Sequence, residues 1–223
     1  MKKSLSRWLE SFVRAQKKID WDDAPRLDLS GVPEAECRDA SLLAFHLSSL
    51  ASYTHQFWHS IRLMDHCEGL DDGEEDGYPA TAWTEMAARD AAFTVYHFRS
   101  TLHAISYCLN NCPSILPLVN SKMLQRAIDR FGKDFPHAVE VRHAAGHVAD
   151  RMFKPANVDK HCLESGGVYV GAVWHRALIF TNEKGIVGLD INDKSLGNLL
   201  ALKRRVYAAF EKVPVLLGSR RCQ

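Results

Sequence analysis

Arg142, His143 and His147 fall within one six-residue stretch, Arg142-His143-Ala144-Ala145-Gly146-His147, and Asp150 follows three residues later. These side-chain types can move protons and hold anionic oxygens, and one reaction that needs both is metal-free cleavage of a phosphodiester. Such cleavage takes a proton from the attacking 2′-hydroxyl, returns one to the leaving oxygen, and stabilises the charged pentavalent phosphorus between. Imidazole titrates near neutral pH and can make either transfer. Guanidinium stays charged, and its fork matches a pair of phosphate oxygens. His147 is the candidate acid or base and Arg142 the candidate phosphate clamp. His143, one helical turn before His147, can orient it or carry the second proton. Asp150, one turn after, can fix a tautomer by accepting an imidazole N–H.

These roles require a helix. Residues 135–153 carry helical apolar spacing: Val141, Ala145, Val148 and Met152 fall within roughly 60° on a wheel, with His143, His147 and Asp150 nearly opposite. Arg142 and His147 sit about 140° apart, so one helix does not aim both at one point. A two-fold pairing of chains removes that difficulty. Ala144, Ala145 and Gly146 are small, and a mid-helix glycine costs about 1 kcal/mol against alanine. Close approach of a second copy explains the glycine, so Gly146 is the expected dimer contact.

Around this helix the chain predicts a bundle. Residues 34–68, opened by Pro33, present Leu43, Leu47, Leu50, Phe57, Ile61 and Met64 on one face. Residues 80–109 repeat Met86, Phe93, Tyr96, Leu102 and Ile105. A shorter helix, 121–131, is capped by Ser121 and striped by Lys122, Arg126 and Arg130, a candidate RNA-binding edge, with Lys203, Arg204 and Arg205 adding charge later. Residues 168–174, 177–181 and 186–191 are β-rich, with Asn182-Glu183-Lys184-Gly185 a hairpin signal. Asn192 caps a closing helix, 193–213, with Leu196, Leu199, Leu200, Val206 and Phe210 inward. The fold class is mainly α: one domain over 1–223, an antiparallel bundle with its core at 34–153, and a small antiparallel β-meander at 168–191 before the last helix.

Two other patterns carry less. His55 and His59 are four apart, but no acid lies between them in the His-Glu-x-x-His manner, so no metal site is expected. The acidic run 71–77 puts Ala82 or Trp83 where a calcium loop needs its twelfth-position Glu. The segment 4–19 reads as an amphipathic helix with Trp8, Leu9, Phe12 and Val13 on one side and basic flanks, docked at the domain edge. Net charge is +1, so no global field marks a nucleic-acid binder. Six cysteines without a Cys-x-x-Cys pair, and no apolar run of membrane length, point to a reduced, cytoplasmic chain. No cofactor is expected.

The stretch Arg142–His147 resembles the signature of the HEPN superfamily: Arg, a polar residue (here His143), a short spacer, then His (here His147). The resemblance covers roughly residues 34–153. It implies a HEPN-like bundle of four or five helices with the motif on a late helix, and it leaves the β-flap outside the common core. It also implies a metal-independent endoribonuclease of toxin–antitoxin, defence or RNA-processing systems, working as a homodimer with two motifs in one cleft, with RNA and an antitoxin or other partner protein as its company. Other members are non-catalytic, so the alternative is a helical module that binds a partner protein or a nucleotide. The residues Glu85, Arg89, Asp90, Tyr96 and His97 lie on the preceding long helix, and the sequence does not say which of them faces the motif.

Overall fold

The computed structural model describes residues 23–69, 77–146, 162–163, 168–182 and 185–214. Among them are five α-helices: α1 (Cys37–Glu68), α2 (Gly77–Asn110), α3 (Ser121–Asp134), α4 (Ala138–Gly146) and α5 (Asp193–Ala209). Three strands, β1 (Val170–Trp174), β2 (Ala177–Asn182) and β3 (Gly185–Asp190), form one antiparallel sheet in that order, just before α5. The chain is therefore mainly helical with a three-stranded meander, as the patterning expects. No described helix is long and apolar enough to cross a membrane. The expected N-terminal helix, the acidic run at 71–76 and most of the 154–167 loop lie outside the described residues.

The chain divides into two compact units, with α1 and α2 each contributing one half to both. The first comprises the described parts of His55–Tyr96 and His137–Leu196; the second, those of Trp21–Thr54, His97–Pro136 and Gly197–Gln223.

In the first unit α1 and α2 run antiparallel: Ser60 and Gln56 reach Asp90, and Cys67 reaches Thr84. Trp58, Ile61 and Met64 of α1 and the alanines Ala87, Ala88, Ala91 and Ala92 of α2 are buried in this half of the two helices. Met86, one of the large residues that repeat at helical intervals, is 65% exposed. The buried stripe on this half of α2 runs through small residues.

The sheet completes this unit. Leu178 and Phe180 of β2, with Val187 and Leu189 of β3, alternate along their strands and are buried. All three strands lie against α4. The sheet that the resemblance left outside the common core thus packs on the helix bearing the motif. Gly171, at φ +77, marks the irregular register in β1, and a Cβ there would meet Phe180 Cε1 at 3.2 Å, so glycine fits both the backbone and the space. The β1–β2 turn is less conventional. His175 and Arg176 hold φ of 44° and 61°, left-handed values usually reserved for glycine or asparagine.

In the second unit α1 and α2 again run antiparallel, with Tyr53 stacked on His97 and Asp39 beside Cys108. Leu43, Leu47 and Leu50 are buried as the spacing predicts, as are Leu102 and Ile105; Phe98, outside the predicted repeat, is buried too. Helix α3 is capped by Asn120, whose side chain accepts from Met123 N at 3.1 Å; Ser121, the expected cap, is the first helical residue instead. Phe131 of α3 stacks on Phe98. Helix α5 starts with Asn192 accepting from Ser195 N, as expected. It ends at Ala209 rather than 213, in a run of turns whose N–H groups bond back three residues.

Lys203 corrects the charge reading of α5. It is fully buried, with Nζ 2.6 Å from Asp23 Oδ1 and 5.7 Å from the Tyr207 ring centre. Position 203 follows Leu199 by four and precedes Val206 by three, so helical geometry puts it on the core face. Tyr207 donates its hydroxyl to Leu47 O at 2.9 Å, and burial raises its pKa well above the ordinary phenol range. Cys108 and Cys112 are buried among apolar groups, and burial pushes the Cys112 thiol up to about 11.

Candidate functional site

Helix α4 buries Ala138, Val141 and Ala144, spaced by three, against the sheet side of the first unit. About 100° further round, Arg142 is half-buried; His143 and Gly146 are exposed. Val141 is buried and His143 exposed as expected, but the buried stripe passes through Ala144, while Ala145, expected on the core face, is only half-buried. His147 and Asp150 lie outside the described residues, as do Val148 and Met152.

The polar edge of α4 faces aromatic side chains of α2. The Arg142 guanidinium carbon lies 5.0 Å from the centre of the Tyr96 ring, a cation–π contact. One turn along α4, a Cβ on Gly146 would stand 4.0 Å from Cε1 and Cζ of Phe93. Phe93 and Tyr96 are three apart on α2 and both half-buried. They form a ridge along which α4 lies antiparallel to α2, pairing 142 with 96 and 146 with 93.

Of the α2 residues that sequence could not rank, Tyr96 is the one beside the motif arginine. The others have different engagements. Glu85 and Arg89 pair with each other at 3.7 Å on α2. Asp90 takes Gln56 Nε2 on one oxygen, at 2.8 Å, and Ser60 Oγ on the other, at 3.0 Å. His97 stacks on Tyr53 in the second unit.

Arg142 is electrostatically unusual. Its Nε is buried without a hydrogen-bond acceptor, and no carboxylate among the described residues pairs with the guanidinium. Its one polar neighbour among them is His143, with Nη1 and Nδ1 3.5 Å apart, the outer limit of a hydrogen bond. A half-buried cation that no described carboxylate pairs with is a favourable place for an anion to join. The arrangement can therefore take an anion, and the adjacent imidazole can exchange a proton beside it.

The remaining candidates are placed as follows. Lys122 and Arg126 are exposed on α3, in the second unit. Arg130, the third member of the stripe, is held by Asp134 through two bonds of 2.9 Å, so part of its charge is already answered. His55 and His59 stand with ring centres 4.3 Å apart, and burial lowers the pKa of both. Among the described residues no group of three or more His, Cys, Asp or Glu is placed to hold a metal ion.

The chain matches no protein-family model, no curated protein and no solved structure.

Proposed function

We propose that this chain is a HEPN-type endoribonuclease that cuts RNA by histidine acid–base transfer, with Arg142 holding the scissile phosphate. The single observation that carries the reading is the Arg142 guanidinium: half-buried, seated on Tyr96, and without a carboxylate among the described residues. It stands in the sequence context Arg-His-x-x-x-His that supplies the proton-transfer groups.

In this reading one histidine takes the proton of the 2′-hydroxyl. The 2′-oxygen attacks phosphorus, the P–O5′ bond breaks, and the 5′-oxygen leaves with a proton from a second acid. His147 is assigned one of these transfers and His143 the other, or the orientation of His147. Asp150 is assigned to fix the imidazole tautomer. Arg142 meets the charge that builds on the phosphoryl oxygens. A two-fold pairing of chains near Gly146 brings Arg142 of one copy to His147 of the other. Lys122 and Arg126 of α3 are exposed cations available to further phosphates.

The test is incubation of RNA with the purified protein in the presence of a chelator. Wild type cuts; His147→Ala and Arg142→Ala lose about 10²–10⁴ in rate while keeping their fold. Cleavage unchanged in His147→Ala sinks the assignment. RNA bound but never cut by wild type favours the other reading, a non-catalytic module.

A further inference from the structure

Arginine can be held in place in two ways that differ in what they leave available. A carboxylate fixes the guanidinium by occupying its N–H fork and cancelling its charge. An aromatic ring fixes it through the flat face and leaves the fork and the charge intact. Arg142 is held in the second way. The Tyr96 ring centre lies 5.0 Å from its guanidinium carbon. The two described carboxylates on that half of α2, Glu85 and Asp90, are turned to Arg89 and to Gln56 and Ser60. Phe93, one turn away, supports the same edge of α4 near Gly146.

We infer that Tyr96 is a positioning residue, whose ring holds the Arg142 guanidinium so that its terminal N–H groups, paired with no carboxylate among the described residues, receive a phosphate group. The inference rests on the reading of Arg142 as the phosphate-binding group and adds the residue that aims it. Its physical content is preorganisation. A long, rotamer-rich side chain that is already ordered does not pay to be ordered by its ligand. That saving corresponds to about 2- to 10-fold in affinity.

The signal is the Nε–H resonance of Arg142 in ¹⁵N-labelled full-length protein, titrated with inorganic phosphate. In wild type the ring current displaces this resonance, and phosphate moves it further in a saturable way. Tyr96→Phe keeps both effects, because the ring and not the hydroxyl does the holding. Tyr96→Leu loses the ring-current displacement and weakens phosphate binding about 2- to 10-fold. Should the leucine variant fail to fold, pentafluorophenylalanine at position 96 keeps the shape but withdraws the electron density of the ring face, and the same weakening is expected. Equal phosphate affinity in these variants, equal loss in Tyr96→Phe, or no response of Arg142 to phosphate in wild type each overturns the inference. RNA cleavage on the same samples separates the two readings. A Tyr96-dependent phosphate response without cleavage leaves the positioning role standing and removes the nuclease. Cleavage with no effect of the ring does the reverse.

Discussion

Arg176 donates from Nη1 to Asp65 Oδ1 at 2.6 Å, tying the β1–β2 turn to the end of α1. The same nitrogen lies 3.0 Å from Glu68 Oε2, and Nη2 lies 3.4 Å from Ile61 O. Asp65 also takes Arg62 at 2.7 Å, so one carboxylate joins two arginines. Arg176 does this from a left-handed backbone, next to His175 in the same state. That conformation costs an L-residue roughly 1–2 kcal/mol. The turn is therefore set by what Arg176 reaches and not by turn chemistry. Arg176→Ala should lower stability by about 1–3 kcal/mol, the value of hydrogen bonds to charged groups. His175→Gly should raise it by about 1 kcal/mol, because the strain goes and no anchor is lost. Urea unfolding of both variants checks the pair of signs; a stabilising Arg176→Ala would show that the anchor contributes nothing.

Much of this scaffold could be read from periodicity. The α1 stripe from Leu43 to Met64 is as expected, and the β-rich stretches form strands whose alternation follows from burying one face of a regular element. Size and charge mislead where position on the element decides. Met86 repeats at helical intervals with the large apolar residues of α2, yet it is exposed while Ala87, Ala88, Ala91 and Ala92 are buried. Lys203 belongs to a basic run, yet its place on the wheel is a core place and it is buried. At the candidate site, the residue types on α4 are legible because they stand within one short stretch of the sequence. The choice of Tyr96 over Glu85, Arg89, Asp90 and His97 is not, because it depends on how α2 and α4 lie together.

The buried Lys203–Asp23 pair makes a second prediction. Removing one partner of a buried ion pair strands the other, at about 3–5 kcal/mol for full burial. Asp23 keeps 25% of its side-chain exposure, so Asp23→Ala should fall at or below the lower end of that range. Replacing the pair together, Asp23→Ala with Lys203→Met, leaves no buried charge and should recover most of the loss. A double-mutant cycle from denaturation curves measures the difference. Strictly additive losses would mean that Lys203 draws its support from other groups.

Acid should destabilise the fold before any carboxylate titrates. Burial lowers the pKa of His46, His55, His59 and His103 from 6.5; at His59 the neighbouring His55 adds to this and Asp90 opposes it, and at His103 Arg99 adds to it. A histidine whose native pKa is depressed binds its proton more readily when unfolded. The stability it contributes is therefore fully present above pH 6.5 and is lost as pH falls through the native value. Unfolding free energy should be level at pH 7–8 and decline below about pH 6.5. The variant His55→Gln/His59→Gln should decline less steeply over the same window, as followed by urea titrations at fixed ionic strength. An equal slope would place the proton uptake elsewhere.

Gly146 separates a local from an intermolecular role. A Cβ there would meet the Phe93 ring at 4.0 Å, an ordinary contact, and the residue is exposed. Gly146→Ala should therefore stabilise the monomer fold by about 0.5–1 kcal/mol through helix propensity. Leucine shares that propensity gain, so any penalty of Gly146→Leu must come from what lies against the helix. If two motif helices cross at this point to share a cleft, Gly146→Leu should weaken the dimer and RNA cleavage together while thermal stability holds. Sedimentation velocity at several concentrations, run beside the cleavage assay, tests this. A wild-type monomer that still cleaves, or a Gly146→Leu dimer as tight as wild type, would mean that each chain completes its own site and that Arg142 and His147 work from one helix.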